Sequence, residues 1–324
     1  MENILLLDTS FASFNKGDDI IMECTRKELA PLLEPNFEIN LPTHVSPFHW
    51  YQVLKNSNAY RTYSECKYKF VGGSNVLVPN LLTHYAQWNI NICNYQALKG
   101  TIMVGVGAGA GAENGSNWYT SYIYKHMLNR DYYHSARDER SKLYMESLGL
   151  KAVNTGCVTM WMLTPEHCAQ IPTKKAEKVV FTLTAYDADN NDQVLLDTLL
   201  KNYNEVYFWP QGLGDFKYFQ SLKNTGNVHM LPASREAYDR YLTDNETDYV
   251  GTRLHGGVYA MRHKRRAIII AIDERARAIN ARNHLNSIEK ADMQQLDAMI
   301  NSEFATKIEM DFEAIKCWKS QFGM

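Results

Sequence analysis

The fold is decided by the stretch Val179-Val-Phe-Thr-Leu-Thr184, which is followed by Asp192-Gln-Val-Leu-Leu-Asp-Thr-Leu-Leu-Lys-Asn-Tyr203 and then by Glu205-Val-Tyr-Phe-Trp209. The first and last of these segments are short apolar runs rich in β-branched and aromatic residues, which predict buried strands. The middle segment repeats its apolar residues at helical spacing. A strand, a helix and a strand in this order predict a βαβ unit with a parallel sheet.

The same alternation continues on both sides of this unit. Toward the C-terminus it predicts the helices Asp215–Leu222, Ser234–Leu242 and Leu254–Arg262 and the strands Val228–Leu231, Asp248–Gly251 and Ala267–Ile272. Toward the N-terminus it predicts the strands Ile4–Asp8, Phe37–Leu41, Tyr68–Val71, Thr101–Gly105 and Tyr132–Ser135 and the helices Asp18–Leu33 and Arg137–Leu148. Two consecutive parallel sheets predict an α/β protein of two Rossmann-like domains with a cleft between them.

The bulk properties of the chain restrict its class. A length of 324 residues favours two domains, which we place at 1–165 and 166–290, with a helical tail at 291–324 packing back on the first domain. A formal net charge of −2 argues against a nucleic-acid partner. Scattered cysteines without a C-x-x-C pair predict no metal site and a reducing, cytoplasmic compartment. No apolar run approaches the roughly 20 residues of a membrane helix.

The strongest functional candidate is the stretch Gly251-Thr-Arg-Leu-His-Gly-Gly257, which follows a predicted strand and opens a predicted helix. Arg253 and His255 are therefore expected at a helix N-terminus, where outward-pointing amides favour an anion. Arginine adds bidentate recognition of phosphate or carboxylate, and histidine can transfer a proton near neutral pH. The structural alternative is that Arg253 pairs with an acid and that His255 only caps the helix.

Other predicted strand ends are further candidates, because ligands bind at the carboxyl edge of parallel sheets. The residues concerned are Asn15, Gly17 and Asp18 after the first strand, Gly72, Gly73 and Gly107 in two glycine turns, and Asp273 after the last predicted strand. Asn15 and Gly17 equally suit a tight turn, and Asp18 a helix cap. Gly105–Ala110 fits a dinucleotide fingerprint, but the loop-like residues that follow argue against that site.

Two basic features have both a functional and a structural interpretation. Arg137 is predicted at a helix start, where the dipole favours acids, so either a bound anion or a salt bridge to Asp138 or Asp8 would explain it. The run from Met261 to Arg266 suits a solvated helix end, and alternatively contact with a phosphate-bearing substrate or an anionic membrane surface.

Taken together, these segments resemble the polysaccharide pyruvyl transferase family. The residues that carry the resemblance are Asn15-Lys16-Gly17-Asp18, Gly72-Gly73, Gly105-x-Gly107, Arg137-Asp138-x-x-Ser141, Gly251-x-Arg253-Leu254-His255-Gly256 and Asp273. They follow the family's order from about residue 8 to 290. One departure is Asn154-Thr155-Gly156-Cys157, where the family often has an aspartate-proline.

The resemblance implies a GT-B-like fold whose two parallel sheets face each other across a cleft. It implies phosphoenolpyruvate as donor and co-substrate, without a further cofactor, and a hexose-containing glycan as acceptor, including lipid-diphosphate-linked forms. The donor would bind in the second domain, to Arg253, Leu254, His255 and Gly256. His255 would also transfer a proton, and Arg137 would be a second cationic clamp. The first domain would bind the acceptor. The reaction would belong to surface or capsular polysaccharide biosynthesis and would take place at the inner face of the cell membrane.

Two other functions fit the same architecture. A GT-B glycosyltransferase would use a nucleotide sugar, although no convincing acidic ribose-binding residue is found near the end of the second domain. A non-catalytic sugar-phosphate-binding protein would bind its ligand without turnover and would tolerate substitution of His255.

Overall fold

The computed structural model describes residues 1–83 and 87–324, except for the side chains of residues 50, 274 and 275. The chain divides into two compact units. Unit 1 comprises Met1–Ser13, Ile21–Trp161 and Asp311–Met324, and unit 2 comprises Phe14–Ile20 and Met162–Met310.

The elements are numbered in chain order. The strands are β1 Asn3–Asp8, β2 Phe37–Pro42, β3 Tyr68–Gly72, β4 Thr101–Val104, β5 His134–Ala136, β6 Ala152–Asn154, β7 Lys178–Thr182, β8 Glu205–Phe208, β9 His229–Met230, β10 Thr247–Gly251, β11 Ala267–Ala271 and β12 Ser287–Glu289. The α-helices are α1 Lys16–Leu33, α2 Trp50–Leu54, α3 Asn58–Ser64, α4 Trp118–Met127, α5 Glu139–Ser147, α6 Pro165–Cys168, α7 Asn191–Asn202, α8 Asp215–Phe219, α9 Arg235–Asp244, α10 Leu254–Arg262, α11 Glu274–Asn283, α12 Leu296–Asn301 and α13 Phe312–Ser320.

Unit 1 is built on a parallel sheet in the order β2-β1-β3-β4. Apolar side chains of these strands, such as Leu5, Val71 and Met103, are fully buried in its core. A smaller parallel pair, β5 and β6, continues the unit, and a bridge between Val106 and Ala136 connects this pair to the turn after β4. The turn after β4 and the end of β5 therefore lie side by side.

Unit 2 contains a parallel sheet in the order β12-β11-β10-β7-β8-β9. Val179, Phe181 and Val250 of its central strands are fully buried, as a strand covered on both faces requires. The register pairs Gly251 with Thr182, so β7 and β10 end together at one edge of the sheet. The loops that follow these strands leave from that edge.

The parallel α/β arrangement is confirmed in both units, and α10 has the predicted bounds. Two predictions about these elements are wrong. Helix α5 begins at Glu139 rather than Arg137, because the Asp138 side chain accepts a hydrogen bond from the Ser141 amide and caps the helix. Strand β11 is not the last, since β12 pairs with it. In the tail after residue 290, α12 ends at Asn301 and α13 begins at Phe312, and the segment Asp311–Met324 belongs to unit 1.

Candidate functional site

The turn between β10 and α10 is fixed by buried hydroxyl groups. The hydroxyl of Tyr249 lies 2.6 Å from Thr182 Oγ1 and donates to the carbonyl of Arg253 at 2.7 Å. Thr182 Oγ1 in turn accepts from the Arg253 amide at 3.2 Å. A Cβ at Gly251 would lie 2.5 Å from the same oxygen, so this strand end accepts only glycine without rearrangement. The backbone that carries Arg253 and His255 is therefore tightly held.

The Arg253 side chain is buried and forms an ion pair with Asp215. Its Nη2 lies 2.6 and 2.8 Å from the two carboxylate oxygens, and its Nε donates to Oδ2 at 3.0 Å. Asp215 is fully buried and also accepts the amides of Gly212 and Ala185. The acid-pairing alternative considered for Arg253 is thus present. Within residues 1–83 and 87–324, the hydrogen bonds of the Arg253 guanidinium are made by Nε and Nη2, and Nη1 makes none.

The turn after β8 was not among the sites predicted from the sequence. Its residues Gln211 and Gly212 connect Arg253 to the start of α1. Gln211 Nε2 donates to Asn15 Oδ1 at 2.9 Å, and its carbonyl accepts the Lys16 amide. A Cβ at Gly212 would lie 2.3 Å from Nη2 of Arg253. The Pro-Gln-Gly sequence after β8 could have indicated this turn, because it follows a strand of the parallel sheet as the predicted site residues do.

The remaining residues of the predicted donor stretch are buried. His255 is the second residue of α10, and Leu254 lies in the same first turn. A Cβ at Gly256 would lie 3.1 Å from Gln211 Oε1, and one at Gly257 would lie 2.1 Å from a side-chain carbon of Ile269. The two glycines therefore allow α10 to pack closely on its neighbours, which gives Gly256 a structural role beside the predicted one.

The second predicted cationic clamp lies in unit 1. Arg137 is buried, donates from Nη2 to Asn75 Oδ1 at 2.7 Å and has its Nε 3.5 Å from Asp138 Oδ2. Asp8, the other predicted partner, instead binds Arg26 at 2.8 Å. A Cβ at Gly107 would lie 2.4 Å from Nη2 of Arg137, so the glycine turn after β4 makes room for this guanidinium.

Gly72 and Gly73 are explained by packing within unit 1. A Cβ at Gly72 would lie 2.8 Å from Met22 Sδ, and one at Gly73 would lie 2.1 Å from Ile21 Cγ2. Gly73 also has a φ of +52°, which favours glycine. Both positions bring β3 close to α1.

Two acidic candidates differ in their local roles. Asp18 is not the predicted helix cap, because α1 already begins at Lys16 and Asn15 Oδ1 accepts the Gly17 amide at 3.0 Å. Asp273 caps α11 through a 2.8 Å hydrogen bond from the Ala276 amide.

The basic run Met261–Arg266, which begins at the end of α10, does not form one exposed patch. Arg262 and Arg266 are buried, and Arg266 binds Asp248 at 2.7 Å. Lys264 is exposed, and Arg265 is partly buried. Among the helices in the described part of the chain, none has the length and apolar character needed to cross a bilayer. Burial of two arginines weakens the interpretation of this run as a membrane-contact surface.

Comparisons with known proteins extend these observations. The profile of the family described as polysaccharide pyruvyl transferase matches residues 15–274. No curated protein matches the sequence significantly.

Among solved structures, the chain is similar to UDP-GlcNAc 2-epimerase from Methanocaldococcus jannaschii in complex with UDP-GlcNAc and UDP, at 11% identity over 99% of each chain and a TM-score of 0.53. It is also similar to S. aureus MnaA with UDP, at 9% identity, 98% coverage of this chain, 94% of that chain and a TM-score of 0.53. The Neisseria meningitidis UDP-GlcNAc 2-epimerase bound to UDP-GlcNAc gives 12% identity, 99% and 100% coverage and a TM-score of 0.50. At these identities the likeness shows the fold alone, and it confirms the GT-B-like class.

Proposed function

Because this chain belongs to the polysaccharide pyruvyl transferase family, a family of transferase enzymes, we propose that it transfers the enolpyruvyl group of phosphoenolpyruvate onto two hydroxyls of a hexose. The product is a cyclic ketal on a glycan of surface or capsular polysaccharide biosynthesis. The acceptor is a hexose-containing glycan, which includes lipid-diphosphate-linked intermediates. The observation that carries the proposal is the family match across residues 15–274, which contains both buried strand-end arginines and His255.

The reaction needs proton transfer and charge stabilisation. Protonation of the methylene carbon of phosphoenolpyruvate makes C2 cationic, and one sugar hydroxyl adds there and loses its proton. The second hydroxyl then displaces phosphate from C2 and closes the ring, so that one hydroxyl proton balances the new methyl group and the other leaves with phosphate. An acid–base group and fixed cationic groups serve these steps.

The described contacts support specific roles. We assign the donor's phosphate or carboxylate to Arg253, whose Nη1 keeps its donors while Nε and Nη2 are held by Asp215. His255 follows in the first turn of α10 and is assigned to proton transfer. We assign a second substrate anion to Arg137, which Asn75 orients.

The roles proposed for the acceptor side are less specific. Asn15 and Gly17 are proposed to contact the acceptor near the start of α1, and Asp18 and Asp273 complete the proposed set. For Gly72, Gly73 and Gly107 the packing contacts described above are sufficient, and they support an indirect role through the backbone.

The test combines purified protein, phosphoenolpyruvate and acceptors that contain galactose, mannose or glucose, including lipid-diphosphate-linked ones. We expect phosphate release together with the mass gain of a pyruvyl ketal, and loss of both signals in Arg253→Ala and His255→Ala. Arg240→Ala, which removes an exposed arginine on α9, is the control that should retain turnover.

Two outcomes would replace the proposal. Thermal protection by a nucleotide sugar, without protection or turnover with phosphoenolpyruvate, would indicate a glycosyltransferase. Binding without turnover, unaffected by His255→Ala, would indicate a sugar-phosphate-binding protein.

A further inference from the structure

We propose that Lys290 is a positioning residue that holds the loop between β7 and α7 against Arg253, with Tyr186 over the guanidinium. The proposal rests on the function proposed above, because it assigns Arg253 to substrate binding. Lys290 lies far from Arg253 in the sequence, just after β12, and belongs to none of the motifs that predicted the site.

The Lys290 ammonium is surrounded by carboxylates of this loop and of the first turn of α7. Its Nζ lies 3.1 Å from Asp187 Oδ2, 3.3 Å from Asp189 Oδ1 and 3.1 Å from Asp192 Oδ2. It also donates to the backbone carbonyl of Asp187. A single cation therefore binds both the side chains and the backbone of one short segment.

This cluster lies largely out of water. Lys290 is only 8% exposed, and the Asp192 side chain is almost fully buried. Burial alone would lower the pKa of the Lys290 ammonium, but the carboxylates of Asp192 and Asp187 raise it above its ordinary value. Removing one partner of a buried ion pair leaves an uncompensated charge, so loss of the ammonium should release the loop.

The other side of the same loop contacts Arg253 and its partner. The Ala185 amide donates to Asp215 Oδ1 at 3.1 Å, and Arg253 Nε donates to the Leu183 carbonyl at 3.1 Å. The Arg253 guanidinium carbon lies 5.2 Å from the centre of the Tyr186 ring, within cation–π range. Tyr186 itself is 71% exposed, so its ring can meet a ligand that binds Arg253.

These contacts link Lys290 to Arg253 through one short loop. The ammonium fixes residues 187–192, the loop continues through Tyr186 and Ala185, and these two residues contact Arg253 and Asp215. Fixing a binding group before the ligand arrives reduces the ordering cost of binding. Lys290 should therefore lower the KM for the anionic donor more than it changes kcat.

A suitable control is another buried ion pair of unit 2, Arg266 with Asp248. It is more deeply buried than the Lys290 cluster, and Asp248 is the second residue of β10, at the opposite end of that strand from Gly251. Arg266→Met should lower the free energy of unfolding without changing hydrogen exchange in residues 183–190 at temperatures where the protein is folded.

The experiment compares Lys290→Met, Lys290→Arg, Tyr186→Ala and Arg266→Met with the full wild-type chain. Amide hydrogen exchange of residues 183–190 is measured without ligand, and KM and kcat are measured with phosphoenolpyruvate. For Lys290→Met we expect faster exchange in this loop and a KM raised about tenfold, as for a misplaced binding group. Lys290→Arg should restore both, and Tyr186→Ala should raise KM without changing stability.

The outcomes separate the two proposals. Unchanged loop exchange in Lys290→Met, or an equal rise in KM for Arg266→Met, would overturn the positioning role. Wild-type protein that never turns over phosphoenolpyruvate would contradict the proposed function instead, while the exchange measurement still decides whether Lys290 holds the loop. If Lys290→Met does not fold, an unchanged KM in Tyr186→Ala overturns the inference.

Discussion

Arg253 in unit 2 and Arg137 in unit 1 occupy comparable places, each just beyond the end of a parallel strand and each against a glycine. Their partners differ. Arg253 binds both oxygens of a fully buried carboxylate, whereas Arg137 donates to the neutral amide of Asn75 and has its Nε 3.5 Å from the carboxylate of Asp138. The sequence motifs predict two similar cationic clamps. The structure shows that the two guanidinium groups have different electrostatic surroundings.

This difference shows that two arginines at equivalent strand ends can have their positive charge compensated to different extents. Asp215 compensates the charge of Arg253 and fixes two of its nitrogens, so among the described contacts only Nη1 is left for the ligand contact proposed above. Asn75 orients Arg137 without adding a negative charge.

The largest expected effect is on the buried pair. Asp215→Asn leaves Arg253 without its counter-ion and should lower the free energy of unfolding by about 3–5 kcal/mol. Asn75→Ala removes one hydrogen bond from Arg137 and should cost about 1–3 kcal/mol. Urea denaturation of both variants measures the difference, and equal losses would show that the two arginines have equivalent surroundings.

The second prediction concerns the pH dependence of stability, and it rests on a histidine of unit 1. Burial lowers the pKa of His134 in unit 1 from 6.5 to about 4. Between these values the unfolded chain binds the proton and the folded chain does not, so stability falls as pH drops from about 6.5 to 4. The loss should approach about 3 kcal/mol.

Denaturation of wild-type protein and His134→Gln across this pH range checks that prediction. The variant should have a lower stability at pH 7 and a flatter pH dependence. An identical pH dependence in both proteins would assign the acid sensitivity to other groups.

The glycines beside the arginines give the third prediction. An alanine Cβ would lie 2.3 Å from Arg253 Nη2 at position 212 and 2.4 Å from Arg137 Nη2 at position 107. Gly212→Ala disturbs a bidentate ion pair and should cost about 2 kcal/mol, whereas Gly107→Ala should cost about 1 kcal/mol. Thermal denaturation ranks the two, and the reverse order would mean that Arg137 is the less adaptable side chain.

The smallest effect is expected at a helix cap. Asp273→Ala removes the hydrogen bond to the Ala276 amide and should cost about 1 kcal/mol. If Asp273 acts only as a cap, Asp273→Asn should have the stability of the wild type. The KM of this variant for the acceptor should then equal that of the wild type. A raised KM in the stable Asp273→Asn variant would support the acceptor role predicted from the sequence.

Much of the fold could be predicted because its signals are local. The alternation of apolar strands with amphipathic helices gave the parallel α/β class, and the bounds of α10 follow from one strand–turn–helix stretch. One error occurred where a single side chain decided the boundary of a helix. Asp138 rather than Arg137 precedes α5, because only the aspartate can accept the Ser141 amide.

The sequence by itself determined which residues stand at strand ends, since periodicity and turn residues are read within a few positions. Only the tertiary structure decided their partners. Asp215 is 38 positions from Arg253, Gln211 is 196 from Asn15, and Lys290 is 98 from Asp192. Such pairs depend on strand order and register, which bring distant loops to one edge of a sheet. For that reason the residues proposed for the site could be chosen from the sequence, whereas their ion-pair and hydrogen-bond partners were set by the fold.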